Sequence, residues 1–454
     1  MDLHAMLGSR ASAGQPIRIG IIGAGRFSTM FLAQAHSIDG IQVVAIADLN
    51  TSRAVSALTL VGWPDQPVDS VEAAVRTHRV AVIDNAAELF DCAEIDVIVE
   101  ATGVPSAAID HALRAIAAHK HIVMVTVEAD AFVGPALADR ARKAGVVYSL
   151  AYGDQPAIIM ELVDWARSCG FQVVCAGKGT RFADGYHEMN PGNVWNFWPF
   201  SKELTDSGQV NPYLHTSFRD GTKAAIEMAA VANAAQLVPS DDGLTFSPGN
   251  VEQIASICRP VEAGGVLGHE GTVDVMSSLT PAGDPIPFDI QEGVYVVVKA
   301  TNPYVSGCFR EYPWHADASG QYMALYRPCH YVGLELTISI AHAAILEQPT
   351  GAPRGFHGDV VATAKRALSA GELLDGEGGY TVWGKLVSAR TSVEHGLLPI
   401  AWSHGVELVH DIPAGRQIRW DDVVISDPDQ PALQLRRETE AMAGGEDARG
   451  TAGS

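Results

Sequence analysis

Two lysines and an aspartate are the first residues in this 454-residue chain whose types and spacing could do chemistry. In Ser217-Phe218-Arg219-Asp220-Gly221-Thr222-Lys223, Lys223 opens an Ala-rich apolar stretch, 223–237, that reads as a buried helix. An ammonium at a helix N-terminus opposes the dipole, so stability does not favour it there. A Lys beside an Asp can give or take the proton of a reacting oxygen. On that reading Asp220 is the N-cap or the group that orients Lys223; the plain alternative is a capping Asp and a solvated Lys. Lys178 follows an apolar strand, 171–176, in a Gly-Lys-Gly-Thr turn. There its side chain can act in catalysis or pair with a phosphate or carboxylate, against the alternative of a surface turn lysine.

A second group of residues is suited to binding. Arg327 and His330 flank a proline in an expected loop before a helix, a position fit for an anion, although an Arg paired with some of the 53 acids is the competing reading. Asp154, Thr180 and Asn190 complete the expected substrate contacts. His187, Glu188 and Asn190 in DGYHEMNPGN could be ligands, but their spacing fits no zinc pattern, and a lone His beside a Glu is more often a satisfied loop residue. Trp195, Trp198 and Phe200 form an aromatic cluster that reads as packing or as a dimer surface.

The motif with the most context is Gly23-Ala24-Gly25-Arg26-Phe27-Ser28, directly after the apolar run 17–22 and before a helix. Gly23 supplies a tight turn, and Gly25 lets the backbone approach a pyrophosphate seated on the helix N-terminus. Ser28 stands where a third Gly or Ala is usual. Asp48 ends the next strand at the spacing expected of the acid that accepts a ribose 2′-hydroxyl, which favours NAD. Asn50, Thr51 and Arg53 follow and can hold a 2′-phosphate, so NAD and NADP both stay open. Thr102-Gly103 after the strand 97–100, and Thr126 and Glu128 after the strand 122–125, lie at carboxyl ends of strands, where such sheets bind ligands. The expected cofactor contacts are therefore Gly23, Ala24, Gly25, Arg26, Phe27, Asp48, Arg53, Thr102, Gly103, Thr126 and Glu128.

These residues need a doubly wound sheet to position them. Residues 1–150 alternate short apolar runs (17–22, 43–47, 97–100, 122–125, 146–150) with helical stretches at 107–118 and 133–144, the α/β pattern of a Rossmann domain. Residues 151–350 read as an α+β substrate, catalytic and dimerisation domain, with a helix at 157–168, a long irregular stretch at 180–216, a strand at 293–300 and a helix at 337–346. Residues 359–428 read as a small β-rich domain, and 429–454 as a short helix and a disordered tail. Composition is globular, with 47% hydrophobic and 19% charged residues. The net charge of −22 disfavours nucleic acid and anionic membranes as partners. No run of about 20 apolar residues suggests a membrane span. The first residues carry no signal-peptide pattern, and six cysteines without CxxC spacing read as reduced thiols. The expectation is a cytoplasmic homo-oligomer acting on a small molecule.

With GIIGAG, VEATG and IVMVTVEAD in its first part, the chain resembles the homoserine dehydrogenase-like oxidoreductases. Gly153-Asp154-Gln155-Pro156 with the GKGT stretch adds to the likeness, and so does Arg327-Pro328-Cys329-His330-Tyr331 with GLELTISIA. LSAGELLDGEGG and DIPAGRQIRWDDV are similar to the two characteristic stretches of a SAF (antifreeze-like) domain, as in the reductoisomerase-like (DXR-like) subgroup. That resemblance implies an NADPH-dependent conversion of 1-deoxyxylulose 5-phosphate to methylerythritol 4-phosphate, with Mg²⁺ or Mn²⁺. If a hard ion binds, Asp154, Asp220 or Glu227 are its candidates, although Asp220 and Glu227, seven apart, do not easily share one metal. The chain departs from homoserine dehydrogenases in having Glu128-Ala129 where they carry Asn-Lys, and Lys223 three rather than four residues after Asp220. A polyol or sugar-acid dehydrogenase, or an NAD(P)-sensing regulator without turnover, are the alternative functions.

Overall fold

Six short apolar runs explain the first sheet, because a parallel strand covered by helices on both faces must be apolar almost throughout. In the computed structural model, which describes residues 2–198, 200–206, 210–311 and 315–443, these runs are β1 (Ile17–Ile22), β2 (Ile41–Ala47), β3 (Ala81–Ile83), β4 (Val97–Glu100), β5 (His121–Met124) and β6 (Tyr148–Leu150). They pair in the order β3-β2-β1-β4-β5-β6, all parallel, which is the order of a dinucleotide-binding sheet. Around them run α1 (Leu3–Ser12), α2 (Arg26–Ala35), α3 (Thr51–Leu60), α4 (Val71–Thr77), α5 (Ala87–Asp91), α6 (Pro105–Ala117) and α7 (Val127–Ala144). Ile17, Ile19, Ile21 and Leu32 are fully buried, each stabilising the fold by about 1.5–3 kcal/mol.

The chain divides into two units, Met1–Ile158 with His330–Arg354, and Ile159–Cys329 with Gly355–Ser454. The helix α8 (Gln155–Ser168) carries the chain from one to the other. The second unit holds a mixed sheet of β7 (Gln172–Thr180), β8 (Ser247–Pro248), β9 (Thr272–Ser277), β10 (Val294–Lys299) and β11 (Tyr322–Arg327), in the order β11-β10-β7-β9-β8. β9 runs parallel to β7 and β10 antiparallel to it. Its helices are α9 (Lys202–Asp206), α10 (Pro212–Arg219), α11 (Thr222–Ala235), α12 (Ile254–Ile257) and α13 (Pro303–Glu311). The segment 330–354 contributes α14 (Thr337–Ala341) to the first unit, where Leu336, Ile340 and Ala341 join the core beneath β1 and β4. Two antiparallel pairs follow, β12 (Gly358–Ala364) with β14 (Val382–Ser388), and β13 (Leu373–Asp375) with β15 (His404–Glu407), together with α15 (Ala389–His395) and α16 (Pro431–Glu440). The expected tail beyond residue 443 lies outside the described residues.

The pivot of the second unit is α11. It packs against β7 and β9 on one side and against β12 and β14 on the other. That accounts for its Ala-rich sequence, since small side chains let two layers approach one helix. Every residue of α11 is buried except Lys223.

Two expectations of local structure need correction. The Gly-Lys-Gly-Thr stretch is not a turn: β7 continues through it to Thr180. Here glycine serves close packing, since a Cβ on Gly177 would lie 2.1 Å from the Asp274 carbonyl oxygen and one on Gly179 only 1.8 Å from that of Ile290. Arg327 likewise ends β11 rather than standing in a loop, paired with Val294. It lies in the second unit and His330 in the first.

Candidate functional site

In the first unit the turn after β1 is shaped by contacts that exclude side chains. Gly23 has φ +97°, and a Cβ there would lie 2.5 Å from the Ala101 carbonyl oxygen. Gly25 is the N-cap of α2 and has no side-chain cap, and an added Cβ would meet no atom within 4 Å. The helix therefore begins with uncapped N–H groups facing open space, the arrangement an anion needs. Arg26 and Phe27 form its first residues. Ser28 is buried and donates to the Gly23 carbonyl at 2.6 Å, so the residue in the third-glycine position closes the turn.

Asp48 steadies this turn directly. Its Oδ2 accepts from Ala24 N at 2.7 Å and its Oδ1 from Asn50 N at 2.8 Å, while Arg53 Nη1 stands 3.8 Å from Oδ2. Asn50 caps α3 through Arg53 N. Sequence reasoning missed the residue that organises the neighbouring loops, Glu100. This fully buried carboxylate accepts from Thr102 Oγ1 at 2.6 Å and from Thr126 Oγ1 at 2.5 Å, with His111 Nδ1 at 3.4 Å. Gly103 N in turn donates to Thr126 Oγ1 at 3.0 Å. Thr102, Gly103 and Thr126 are thus one hydrogen-bonded group spanning the ends of β4 and β5. The signal was present, because an acid closing the otherwise apolar VIVE strand must be satisfied by something. Glu128 lies in the first turn of α7, where the dipole favours a carboxylate. Asp154, at the start of α8, accepts from Gln155 N at 2.9 Å.

In the second unit the Lys178 ammonium is paired with the Glu227 carboxylate of α11, and both side chains are buried. A surface lysine in that position is thereby excluded. Lys223 and Glu227 stand four apart on α11, so they share a face. Glu227 is therefore paired with a lysine from β7, and Lys223 stands one turn before it on its own helix. The sequence suggested it only as a metal ligand.

Asp220 differs from expectation. It is the C-cap of α10, and Gly221 with φ 91° is the N-cap of α11. The buried Asp220 carboxylate accepts from Thr222 N at 2.9 Å and lies 2.8 Å from Lys365 Nζ. Lys365 also donates to the carbonyls of Met189 (2.5 Å) and Gly379 (2.7 Å), so it ties three segments together. Burial pushes the Asp220 carboxyl up, and the Lys365 ammonium opposes that push. The pairing of Asp220 with Lys365 rather than Lys223 was invisible to sequence spacing, because this cation comes from 145 positions later.

His187 is half-buried against aromatic rings, stacked on Trp383 at 3.7 Å and against Phe182 at 4.8 Å, with Nδ1 2.6 Å from the Asp220 carbonyl. Burial lowers its pKa. Asn190 is occupied in its own turn, its Oδ1 accepting from Gly192 N at 3.0 Å. Thr180 ends β7 beside Ser278, whose N donates to its carbonyl at 2.8 Å. Trp198 and Phe200 stack at 5.3 Å and Trp195 lies 6.0 Å from Phe200, so the aromatic segment packs on itself and on His215.

Among the described residues no three His, Cys, Asp or Glu side chains are grouped to hold a metal. Asp220 and Glu227 are engaged by different lysines. The residues present thus do not fit the divalent ion that the reductoisomerase resemblance implied. They do fit a dinucleotide, through the uncapped α2 terminus and the open space at Gly25.

Comparison with known proteins agrees. Residues 19–150 match the family described as homoserine dehydrogenase, NAD binding domain, and residues 153–336 match oxidoreductase DRL, catalytic domain. The chain thus carries a region similar to a dehydrogenase NAD-binding domain, followed by one similar to an oxidoreductase catalytic domain. Its first unit contains the matched nucleotide domain, and the matched catalytic region holds Lys178, Asp220, Lys223 and Glu227. A search of curated proteins gives no match. Solved structures similar to it include the 3-ketoreductase KijD10 from Actinomadura kijaniata with NADP (16% identity, 37% of this chain and 50% of that one, TM-score 0.27). The WlbA dehydrogenase from Bordetella pertussis with NADH and UDP-GlcNAcA is another (19%, 38% and 48%, 0.28). A third is myo-inositol dehydrogenase from Lactobacillus casei (16%, 40% and 50%, 0.28). The chain spans about half the length of each of these. Among the described residues no helix is long and apolar enough to cross a membrane.

Proposed function

We propose that this oxidoreductase moves hydride between NAD(P) and a small polar hydroxy or keto compound carrying a phosphate or carboxylate, with the lysines beside Glu227 handling the proton. The observation that carries the reading is the buried Lys178–Glu227 pair, with Lys223, the one residue of α11 left unburied, one turn before Glu227 on the same helix. An oxygen that gains or loses charge as hydride moves needs a proton donor or acceptor at hand, and an ammonium held by a carboxylate supplies one. In this proposal Lys178 or Lys223 exchanges the proton, Glu227 positions them, and Asp220 holds the N-terminal end of α11 in place through Lys365. Asp154, Thr180, Asn190, Arg327 and His330 are proposed to contact substrate.

The dinucleotide would be held by Gly23, Ala24, Gly25, Arg26, Phe27, Asp48, Arg53, Thr102, Gly103, Thr126 and Glu128, and it would supply the hydride. Residues 1–150, 151–350 and 359–428 are proposed as nucleotide, catalytic and SAF-like domains, the second forming a homo-oligomer interface, in a cytoplasmic protein. The resemblance of the sequence to the reductoisomerase-like subgroup makes 1-deoxyxylulose 5-phosphate the first substrate to try, ahead of simple polyols. The test is absorbance at 340 nm with NADH and NADPH, using 1-deoxyxylulose 5-phosphate in the presence and absence of Mg²⁺, beside a panel of polyols and sugar acids. Turnover that Lys178→Ala or Lys223→Ala abolishes supports the reading. Cofactor binding with no turnover on any of these would favour a nucleotide-sensing protein instead.

A further inference from the structure

A buried arginine lacking an acceptor sits at the end of α10. Arg219 is 6% exposed, and its Nε has no hydrogen-bond partner among the described residues. Its guanidinium lies 3.8 Å from the centroid of the Trp198 ring. The Trp198 indole N–H is also buried without a partner, and so is the hydroxyl of Thr216, one turn before Arg219 on the same helix face. Guanidinium and indole N–H groups can only donate, and a hydroxyl can donate. Three unsatisfied donor groups gathered around one helix turn therefore call for acceptors.

The charge balance points the same way. Arg181, directly after β7, acts on Arg219 from close by, and its repulsion is stronger than the attraction of Glu292, the acid that also reaches it. Burial first, and Arg181 second, bring Arg219 down to about 10, which still leaves it charged at neutral pH. The Trp198 ring holds the cation in place, yet a ring's attraction is smaller than what a guanidinium loses on leaving water. Tyr186 and Glu292 offset the effect of Arg181 only in part. A planar guanidinium meets an oxyanion with two parallel N–H bonds.

We propose that Arg219 and Arg181, with the Trp198 indole and the Thr216 hydroxyl, form the subsite that holds an oxyanion of the substrate, a phosphate or a carboxylate. The inference rests on the reading of this chain as an oxidoreductase of anionic small molecules and assigns the residues that recognise the charge. It places the anchor in the second unit, on the segment that joins β7 to α11, the two elements that carry the proposed proton-transfer residues.

The test uses the whole chain and simple ions at constant ionic strength. Inorganic phosphate and, separately, acetate are titrated against chloride while tryptophan fluorescence and the thermal midpoint are followed. The expected result is a saturable response to one of the two ions, whose identity tells phosphate from carboxylate. In Arg219→Lys, which keeps the charge but loses the fork, and in the half-exposed variant Arg181→Gln, the apparent affinity should fall by about tenfold or more. A wild-type response no different from chloride overturns the subsite, as does a response of equal affinity in both variants. NADH binding, read separately by nucleotide fluorescence, should be unchanged in both variants. It reports on the dinucleotide site alone, so failure of that reading is distinguishable from failure of this one.

Discussion

The Lys178 ammonium of β7 is buried against the Glu227 carboxylate of α11. Removing one partner of such a pair leaves a buried charge uncompensated and destabilises by about 3–5 kcal/mol, whereas replacing both with apolar groups is often neutral. Lys178→Met and Glu227→Gln should therefore each lower the thermal midpoint, and Lys178→Met/Glu227→Met should recover most of the loss. Turnover should not recover: if Lys178 exchanges a proton, the double variant stays roughly 100-fold or more below wild type. A double variant that regained both stability and activity would make the pair purely structural.

A second prediction concerns cofactor choice. The Asp48 carboxylate is fixed by Ala24 N and Asn50 N at the end of β2, where it would oppose a 2′-phosphate. NADH should bind more tightly than NADPH. Asp48→Ala should narrow that preference by about tenfold, measured as the ratio of the two dissociation constants. An unchanged ratio would mean that Arg53, 3.8 Å away, governs the discrimination instead.

A third follows from Asp130, on α7. It is fully buried, with Tyr148 Oη donating to Oδ1 at 2.9 Å, and burial raises its carboxyl to about 7. In the unfolded chain the same group titrates near 3.8. The folded state therefore binds its proton more tightly, and the stability this brings is complete below about pH 4 and lost as pH rises through about 7. Asp130→Asn keeps an acceptor for Tyr148 and cannot ionise. It should be more stable than wild type at pH 8, by up to about 4 kcal/mol, with the difference vanishing near pH 4. Denaturant melts at the two pH values decide this.

How much of this was legible beforehand depends on the range of each interaction. The strands 17–22 and 97–100 were readable because buried parallel strands are apolar run by run, and the Gly23-Ala24-Gly25 turn because its chemistry is local. The three-residue strand β3 and the helices α1 and α10 were not: a strand so short carries no period, and Asp2, which caps α1 by accepting from Ala5 N, lay in a segment weighed only as a leader. Lys223 at the start of α11 was visible from the dipole argument. Its neighbours were not, since Glu227 meets Lys178 across 49 positions and Asp220 meets Lys365 across 145. Spacing along one chain cannot show which distant cation a buried acid will find. Glu100, by contrast, could have been found, because an acid inside an apolar strand end demands partners and the two nearest loops offer Thr102 and Thr126.

A fourth prediction concerns the attachment of the last helix. Arg436 of α16 is fully buried and grips both oxygens of Asp359 in β12, at 3.0 Å for Nη1–Oδ1, while Ser392 Oγ donates to Oδ2 at 2.6 Å. Arg436→Ala should destabilise by about 3–5 kcal/mol, because Asp359 is left charged and buried. Arg436→Met with Asp359→Leu should restore much of that. Nucleotide affinity should be unaffected in either, as both residues lie in the second unit.

The sharpest separation of folding from cofactor binding comes from the two glycines after β1. Gly23 has φ +97°, and a Cβ there would lie 2.5 Å from a backbone oxygen that cannot move without disturbing the end of β4. Gly23→Ala should therefore lower both stability and nucleotide affinity, through strain and collision together. At Gly25 the backbone is extended and an added Cβ meets nothing within 4 Å. Gly25→Ala should melt within about 1 kcal/mol of wild type. If the pyrophosphate sits on the α2 terminus, the new methyl group occupies the space the anion must enter, and NADH affinity should fall by about 100-fold or more. The measurement is NADH fluorescence titration beside a thermal melt on both variants. Tight NADH binding by Gly25→Ala would show that the dinucleotide does not approach the N-terminus of α2.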